Sequence, residues 1–229
     1  MNQIVAIGDI HGCYTELKKT LEPLYDSNAE VLFLGDLIDR SPDKDGDIKV
    51  LELVRDMQQH PECYGLSKVT VLKGNHENLL LDAIEYGRHS EAYELWVWNG
   101  GDPAFYKQAK EYETWLTNLD LYAIRGNYLF VHAGVRPNTP LEEQVETDLT
   151  WIRDPFLNAE HHGLPYTVVH GHTIVDTIEF HPGRIALDTG CFYTGNLSSM
   201  RFYYDESMGS QASEARTNND RDRECALAE

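Results

Sequence analysis

The residues that could do chemistry in this chain follow short apolar runs, at the points where those runs end. They are Asp9, His11, Asp36, Asp39, Arg40, Asn75, His76, His132 and His172. Taken singly, each is explained equally well by a turn or a helix cap. Carboxylates, imidazoles and an amide after five separate runs form a less ordinary pattern, because these groups bind divalent metal ions. We therefore predict a metal site at these positions.

The types of side chain in this set restrict the metal and the number of ions. The set contains nitrogen and oxygen ligands and no cysteine, which suits manganese, iron or zinc. It holds more ligands than one ion takes, and about as many as two ions that share a carboxylate. Two ions ~3.5–4 Å apart can share a water and hold the oxygens of an in-line displacement. We expect two divalent ions, with Mn²⁺ as the first choice and iron or zinc as alternatives.

Two arginines indicate what the metal site acts on. Arg40 ends the second apolar run, and Arg153 lies in the segment "TWIRDPF". A guanidinium is a forked cation that binds phosphate oxygens in pairs. In a chain with a net charge of −19, arginines beside a metal site suggest a phosphate ester as the substrate.

The elements that position these residues can be predicted from the spacing of apolar residues. The first three runs lie within 4–12, 31–40 and 68–77, and segments with leucine and valine at helical spacing separate them. Strand and helix in alternation predict a βαβαβ unit with a parallel sheet. The polar residues then gather beyond the carboxyl ends of the strands, where open α/β sheets bind ligands.

The second half of the chain has a different pattern. Further apolar runs occupy 128–135 and 166–173, and strand–turn–strand patterns occupy 177–190 and 197–205, with Pro182-Gly183 as a turn. We expect antiparallel or mixed pairing there.

These patterns also predict how the chain is divided. One domain is expected over 1–204, with a helical insert at about 78–118 in which Tyr93, Trp96 and Trp98 pack. The polar segment 205–229 is expected to form a flexible tail.

Composition excludes several classes of protein. The strong negative charge argues against binding nucleic acid or an anionic membrane. No apolar run reaches the ~18 residues of a membrane helix, and no secretory signal is recognised at the N-terminus. The four cysteines are scattered singly, which favours reduced thiols and a cytoplasmic location.

Five motifs together carry a resemblance to a known family. They are "GDIHG", "GDLIDR", "GNHE", "HAG" and "GHT", and their order resembles that of the phosphoprotein phosphatase family of calcineurin-like metallophosphoesterases. The likeness covers about residues 3–203 and is greatest to compact bacteriophage and bacterial members. It implies an α/β fold in which two mixed β-sheets form a sandwich flanked by helices, in the layer order α-β-β-α. One departure is Ser41 after Arg40, where the family often has glycine.

The resemblance also implies a role for each residue. Asp36 would bridge two metal ions. The remaining ligands would be Asp9 and His11 on the first ion, and Asn75, His132 and His172 on the second. His76, oriented by Asp39, would protonate the leaving oxygen, while Arg40 and Arg153 would bind the phosphate. A metal-bridging hydroxide would attack phosphorus directly, in phosphoserine or phosphothreonine of a protein or peptide, with phosphotyrosine as a further candidate.

Two other functions stay open at this point. One is hydrolysis of a dinucleoside polyphosphate or of an RNA 5′ end, since the relatives with the same motifs include symmetrical diadenosine tetraphosphatases. A metal-binding module without turnover is less favoured, because such proteins usually lose a ligand or the His-Asp pair. His170 is expected in the core, since alternation along a strand directs it away from the side that His172 takes.

Overall fold

The computed structural model describes residues 2–205, so the predicted tail lies almost wholly outside the described residues. The helices are α1 (Tyr14–Leu21), α2 (Gly46–Gln59), α3 (Asn75–Tyr86), α4 (Glu91–Trp98), α5 (Tyr106–Ala109), α6 (Glu113–Thr117), α7 (Glu146–Trp151) and α8 (Cys191–Thr194). The strands are β1 (Asn2–Ile7), β2 (Glu30–Phe33), β3 (Lys68–Val71), β4 (Tyr122–Arg125), β5 (Tyr128–Val131), β6 (Thr167–His170), β7 (Glu179–His181), β8 (Arg184–Ala186) and β9 (Ser199–Tyr204).

The strands form two mixed sheets. The first has the order β3-β2-β1-β9, in which β1, β2 and β3 are parallel and β9 is antiparallel to β1. The helices α1 and α2 are the connections between the parallel strands. The predicted βαβαβ unit is therefore confirmed.

The second sheet has the order β4-β5-β6-β8-β7. The turn at Pro182-Gly183 joins the antiparallel pair β7 and β8 as predicted. The pattern of residues did not predict β4, which pairs antiparallel with β5. Three of the four residues of β4 are buried, so its sequence lacks the alternation of polar and apolar residues that marks a half-exposed strand.

Alternating residues of each strand divide the core into layers. Ile4 and Ala6 face the second sheet and pack in a cluster with Phe130 and Val169. Val5 and Ile7 belong to the cluster that α1–α6 cover. A third cluster lies on the outer face of the second sheet. The result is the α-β-β-α sandwich that the motifs implied.

The structure bears on two predictions, one about membrane spans and one about the cysteine thiols. Among residues 2–205, no helix has both the length and the apolar composition needed to span a bilayer. Cys13, Cys63 and Cys191 are free thiols, and Cys225 lies outside the described residues.

A buried ion pair joins the two sheets at the end opposite the polar strand ends. Arg125 of β4 donates from Nε to Oε2 of Glu30 on β2 at 2.9 Å and from Nη2 to Oε1 at 2.6 Å. Glu30 also accepts from Thr70 Oγ1 at 3.0 Å and is 5% exposed. A carboxylate this deeply buried depends on its partners, since loss of one leaves a charge in a poorly solvated place.

We expect Arg125→Ala to lower the free energy of unfolding by about 3–5 kcal/mol, the typical loss when one partner of a buried ion pair is removed. Urea titration measures this. Arg201→Ala is the control, because Arg201 is exposed and makes a single hydrogen bond to Gln3; it should change stability by under about 0.5 kcal/mol. Equal effects of the two substitutions would contradict the role given to Arg125.

Candidate metal centre and catalytic pocket

The polar strand ends of both sheets meet in one pocket of about 510 Å³. It is lined by His11, Asp36, Arg40, Asn75, His76, Asn99, Trp151, Arg153, His172, Ile174, Asp188 and Phe192. Residues from loops after β1, β2 and β3 meet residues from loops after β6 and β8. The sheets converge at this edge, which brings residues distant in sequence into contact.

Asp36 lies at the centre of the buried group. Its Oδ2 is 3.6 Å from Nε2 of His11, and its Oδ1 is 3.4 Å from Nε2 of His132. Oδ1 also accepts from the backbone N–H of His76 at 3.0 Å. The two carboxylate oxygens of Asp36 thus face two different imidazoles, as expected of a ligand that two metal ions share.

In His11 and His132, the hydrogen bond made by Nδ1 determines whether Nε2 carries a proton or a lone pair. Nδ1 of His11 lies 2.9 Å from the carbonyl of Ile38, and Nδ1 of His132 lies 2.9 Å from the carbonyl of Leu34. A carbonyl oxygen only accepts, so each Nδ1 carries the proton. Burial lowers the pKa of both rings, that of His11 to about 3. Both rings are neutral and present a lone pair at Nε2.

The lone pair of His132 faces other acceptors. Nε2 of His132 lies 3.0 Å from Oδ1 of Asn75 as well as near Asp36. Asp9 Oδ1 and His172 Nε2 are buried and have no hydrogen-bond partner within the described part of the chain. Burial, then the charges of Asp188 and Asp36, raise the pKa of Asp9 well above its usual range. Converging acceptors without a donor are satisfied by a cation, so the residues present fit a metal centre.

The predicted ligands can be compared with the closest groupings in the pocket. Two groups have ligand atoms within 4.8 Å of one another. They are His11–Asp36–His76 and Asp36–His132–His172. Asp36 belongs to both groups, in line with a bridging position. Asp9 belongs to neither, but it accepts from the backbone N–H of His172 at 2.9 Å, and a Cβ at Gly171 would lie 2.0 Å from its Oδ1.

His76 differs from the other histidines because its Nδ1 contacts a carboxylate. Nδ1 lies 2.7 Å from Oδ2 of Asp39, and both side chains are fully buried. Although burial disfavours the charged ring, the carboxylates of Asp36 and Asp39 raise its pKa above the ordinary value. Nε2 is buried without a partner among residues 2–205. His76 therefore holds a proton more readily than its neighbours.

Trp96 contacts the site in a way that the sequence pattern did not predict. Its indole Nε1 donates to Oδ1 of Asp39 at 2.9 Å and to Oδ2 at 3.1 Å. It had been expected to pack the helical insert, and it is indeed fully buried there. The insert therefore reaches the pocket through this hydrogen bond and orients the carboxylate that orients His76.

Two further carboxylates were also missed. Glu77 accepts from the backbone N–H groups of Asp36 at 2.9 Å, Leu37 at 2.8 Å and Gly74 at 2.8 Å, which ties the loop after β2 to the start of α3. Asp188 follows β8 and lines the pocket. The rule that found the other residues, a polar side chain after a strand, would have found Asp188 as well.

The two arginines approach the pocket from opposite sheets. Arg40 Nη1 lies 3.2 Å from Nε2 of His11, and its Nε donates to the carbonyl of Asn99 at 3.1 Å. Its guanidinium carbon lies 5.2 Å from the centre of the Phe192 ring. Arg153 donates to the carbonyl of His172 at 3.2 Å. Both therefore border the pocket as the sequence predicted.

Some residues of the predicted set adopt left-handed backbone conformations. Nine non-glycine residues have positive φ in the described chain. Five of them are His11, Asp36, Asp39, Arg40 and His172. Positive φ is unfavourable for these residue types, and such strain is typical of functional sites. His170, by contrast, is buried against Phe156, as its strand position predicted.

The chain belongs to the calcineurin-like phosphoesterase family, whose model matches residues 3–201. The resemblance carried by the five motifs is thereby confirmed. The chain is a metallophosphoesterase, and the clusters of histidine and aspartate in its pocket could hold the metal ions that this family uses.

Similar proteins differ in the substrate that their names give. Serine/threonine-protein phosphatase 1 of Salmonella typhimurium is 29% identical over 220 residues, spanning 85% of this chain and 89% of that protein. Bis(5′-nucleosyl)-tetraphosphatase PrpE [asymmetrical] of Anoxybacillus flavithermus is 26% identical over 229 residues, spanning 86% and 89%. A crystal structure of a cold-active protein-tyrosine phosphatase from Shewanella has a TM-score of 0.62 and 18% identity, with 88% of this chain and 75% of that one covered. At that identity the match shows the fold alone.

We expect Trp96→Phe to lower kcat about tenfold with little change in KM, because Asp39 loses a donor worth about 1.5–3 kcal/mol while substrate contacts persist. Trp98→Phe is the matched control, since Trp98 lies on the same helix and is 83% exposed. Steady-state kinetics should use an alkyl phosphate and an aryl phosphate. A loss confined to the alkyl substrate indicates impaired protonation of the leaving group; equal kcat for both variants would contradict the orienting role.

Proposed function

We propose that this chain is a dinuclear-metal phosphomonoesterase that hydrolyses phosphoserine and phosphothreonine in proteins or peptides, with phosphotyrosine as a further substrate. The observation that carries the proposal is the position of His76. Its free Nε2 lies beside the metal-ligand group and its Nδ1 is held by Asp39. A buried proton donor next to a phosphate-binding arginine is what cleavage of an unactivated alkyl phosphate needs.

Six side chains would hold the two ions. Asp36 would be shared; the others are Asp9 and His11 for one ion, and Asn75, His132 and His172 for the other. When bound, two such ions lower the pKa of a water and neutralise charge on phosphoryl oxygens. Mn²⁺ is our first choice, and iron or zinc are alternatives that the same ligand types accept.

The remaining residues would bind and protonate the substrate. Arg40 and Arg153 would hold phosphoryl oxygens from two sides of the pocket. The packing of Phe192 against Arg40 and the hydrogen bond to Asn99 hold that guanidinium in place without an ion pair. His76 would give its Nε2 proton to the leaving oxygen, and Asp39 would stabilise the ring's orientation. No protein nucleophile is required: a water would attack phosphorus directly, the P–O bond to the leaving group would break, and the leaving oxygen would take the proton from His76.

Hydrolysis of a dinucleoside tetraphosphate is the alternative that a specific finding favours, since a relative of equal coverage carries that name. The pocket argues for the monoester. Apart from histidines, its described lining includes two basic residues, Arg40 and Arg153, which suit one phosphoryl group better than a run of four. A phosphorylated protein as partner and a cytoplasmic location stay predictions; RNA 5′ ends and a module without turnover rank lower.

We expect the protein to bind two Mn²⁺ ions per chain and His132→Ala to lose one site, with affinity reduced by more than about 100-fold, since even a residue that supports a ligand contributes 10–100-fold. Titration calorimetry and metal analysis measure this. His161→Ala is the control, because His161 is exposed and outside the pocket. Circular dichroism checks that the variant folds. Retention of two tight sites in His132→Ala would contradict the assignment.

The substrate is tested by comparing kcat/KM for a phosphothreonine peptide with that for diadenosine tetraphosphate in Mn²⁺ buffer, with products identified. We expect the peptide to be preferred by at least about tenfold, because the pocket binds one phosphoryl group. His76→Asn should abolish most of the peptide activity, by roughly 10²–10⁴ in kcat, which excludes a contaminating phosphatase. Preference for the dinucleotide would overturn the proposed substrate and leave the metal centre unaffected.

A further inference from the structure

Beside the catalytic pocket, on the other side of Arg40, lies a second cavity of about 660 Å³. It separates the loop after β2 from the loop after α4. Four carboxylates line it, those of Asp43, Asp45, Asp47 and Asp102. We call it the acidic cavity.

Asp47 is the member of this group that indicates a ligand. It is 5% exposed, and its Oδ1 has no hydrogen-bond partner among residues 2–205. Its carboxylate accepts from the backbone N–H of Asp39. Burial, then the charge of Asp39, raise the pKa of Asp47 to about 7. A buried carboxylate with an unmet oxygen is stabilised by a cation that enters the cavity.

Arg40 is the one basic residue in the described lining of the acidic cavity, and its guanidinium points toward His11 in the catalytic pocket. Within residues 2–205, none of the four carboxylates of the acidic cavity forms an ion pair with a lysine or arginine. Asp43 accepts from the backbone N–H of Thr15 at 2.6 Å, and Asp102 accepts from that of Ala104 at 2.8 Å. These contacts shape the loops and leave the negative charge uncompensated.

Arg40 separates the acidic cavity from the catalytic pocket. Its guanidinium points to the catalytic side, toward His11 and Phe192. Its aliphatic stem lies against Gly100, where a Cβ would be 2.6 Å from Cγ of Arg40. Ser41 Oγ holds the adjoining loop in place: it lies 3.0 Å from the carbonyl oxygens of both Gly12 and Asp43, and its single proton is donated to one of them or shared between the two. The guanidinium of Arg40 therefore faces the proposed phosphate site, and the four carboxylates face the acidic cavity.

The spacing of the carboxylates decides between a metal ion and an organic cation. In the described chain, both groups of three ligand atoms within 4.8 Å lie in the metal centre, and none lies in the acidic cavity. No three of its carboxylates therefore lie close enough together to bind one bare ion jointly. A guanidinium has five donors on a planar fork, and an ammonium stands on a long stem, so either can reach carboxylates that are spread over a cavity of this volume.

We propose that the acidic cavity is a specificity site that binds an arginine or lysine side chain of the substrate, close in sequence to the phosphorylated residue. The proposal rests on the proposed function, since it names the kind of phosphopeptide that the site prefers. Arg40 borders both the cavity and the pocket, and an extended peptide advances about 3.3 Å per residue. We place the basic residue within about three positions of the phosphorylated one. The same cavity would repel the phosphate chain of a dinucleotide.

The test compares phosphothreonine peptides that carry either arginine or glutamine at each position from −3 to +3. For the wild-type protein we expect kcat/KM to favour arginine at one or two positions by roughly tenfold, the size of one charge-assisted contact. This difference should come from a lower KM for the arginine peptide, with kcat unchanged. Asp47→Asn and Asp102→Asn should reduce this ratio toward one. Because the ratio is taken within each variant, a change in basal activity cancels.

Two further variants make the result specific. Asp102 is exposed, so Asp102→Lys should fold and should shift the preference toward a peptide with glutamate at the same position. Glu52→Gln is the control, because Glu52 is an exposed residue of α2 outside the cavity; it should keep the arginine preference. A preference unchanged in Asp47→Asn and Asp102→Lys would overturn the proposal.

The outcomes also separate this proposal from the proposed function. Efficient hydrolysis of all the peptides with equal kcat/KM for arginine and glutamine would overturn the specificity site and leave the phosphopeptide function standing. Hydrolysis of diadenosine tetraphosphate without hydrolysis of any peptide would overturn both.

Discussion

The constraint on which the rest of the structure depends is the convergence of electron-pair donors around Asp36. Neutral Nε2 atoms, an amide oxygen and carboxylate oxygens meet there with too few hydrogens between them. Such an arrangement is unfavourable by itself and is stable only where the surrounding chain holds it. The left-handed residues of the site and the three backbone hydrogen bonds to Glu77 are the means by which the loops hold it.

The fold meets this constraint by using both sheets. Parallel strands of the first sheet present their carboxyl ends beside those of β5, β6 and β8, so that no single loop has to carry the site. The apolar cluster between the sheets and the ion pair of Arg125 with Glu30 fix the distance between the two halves. A ligand group assembled from two sheets is therefore as rigid as the core beneath it.

The side chain of Arg40 lies between the catalytic pocket and the acidic cavity. Arg40 places its guanidinium next to the metal-ligand group and its stem next to the acidic cavity. The surplus of acidic residues, which by composition alone argued only against polyanionic partners, thus has a local arrangement as well. Under our proposal, the catalytic pocket would bind the anionic part of a substrate and the acidic cavity its cationic part, with Arg40 between them.

Some features could be predicted from sequence and others could not. The strand-end rule placed these polar side chains together because a side chain after a parallel strand must lie at the same edge as its neighbours. The same rule covers Asp188, which was overlooked. The strand β4 was not predicted because three of its four residues are buried, so that it shows no alternation of polar and apolar residues. The contact of Trp96 with Asp39 and those of Glu77 with the loop after β2 carry no local signal, since each joins residues about 40 or more positions apart. The contact of Glu77 with Gly74 is local.

The sequence by itself determined the kinds of ligand, the order of the βαβαβ unit and the class of chemistry, because these follow from residue type and period. Only the tertiary structure decided which atoms meet. It joined Asp39, whose pairing with His76 the family motifs implied, to Trp96, left one oxygen of Asp47 without a partner among residues 2–205, and turned Arg40 toward His11. Those outcomes depend on loop conformation and on packing between distant segments, and neither is written in the local pattern of residues.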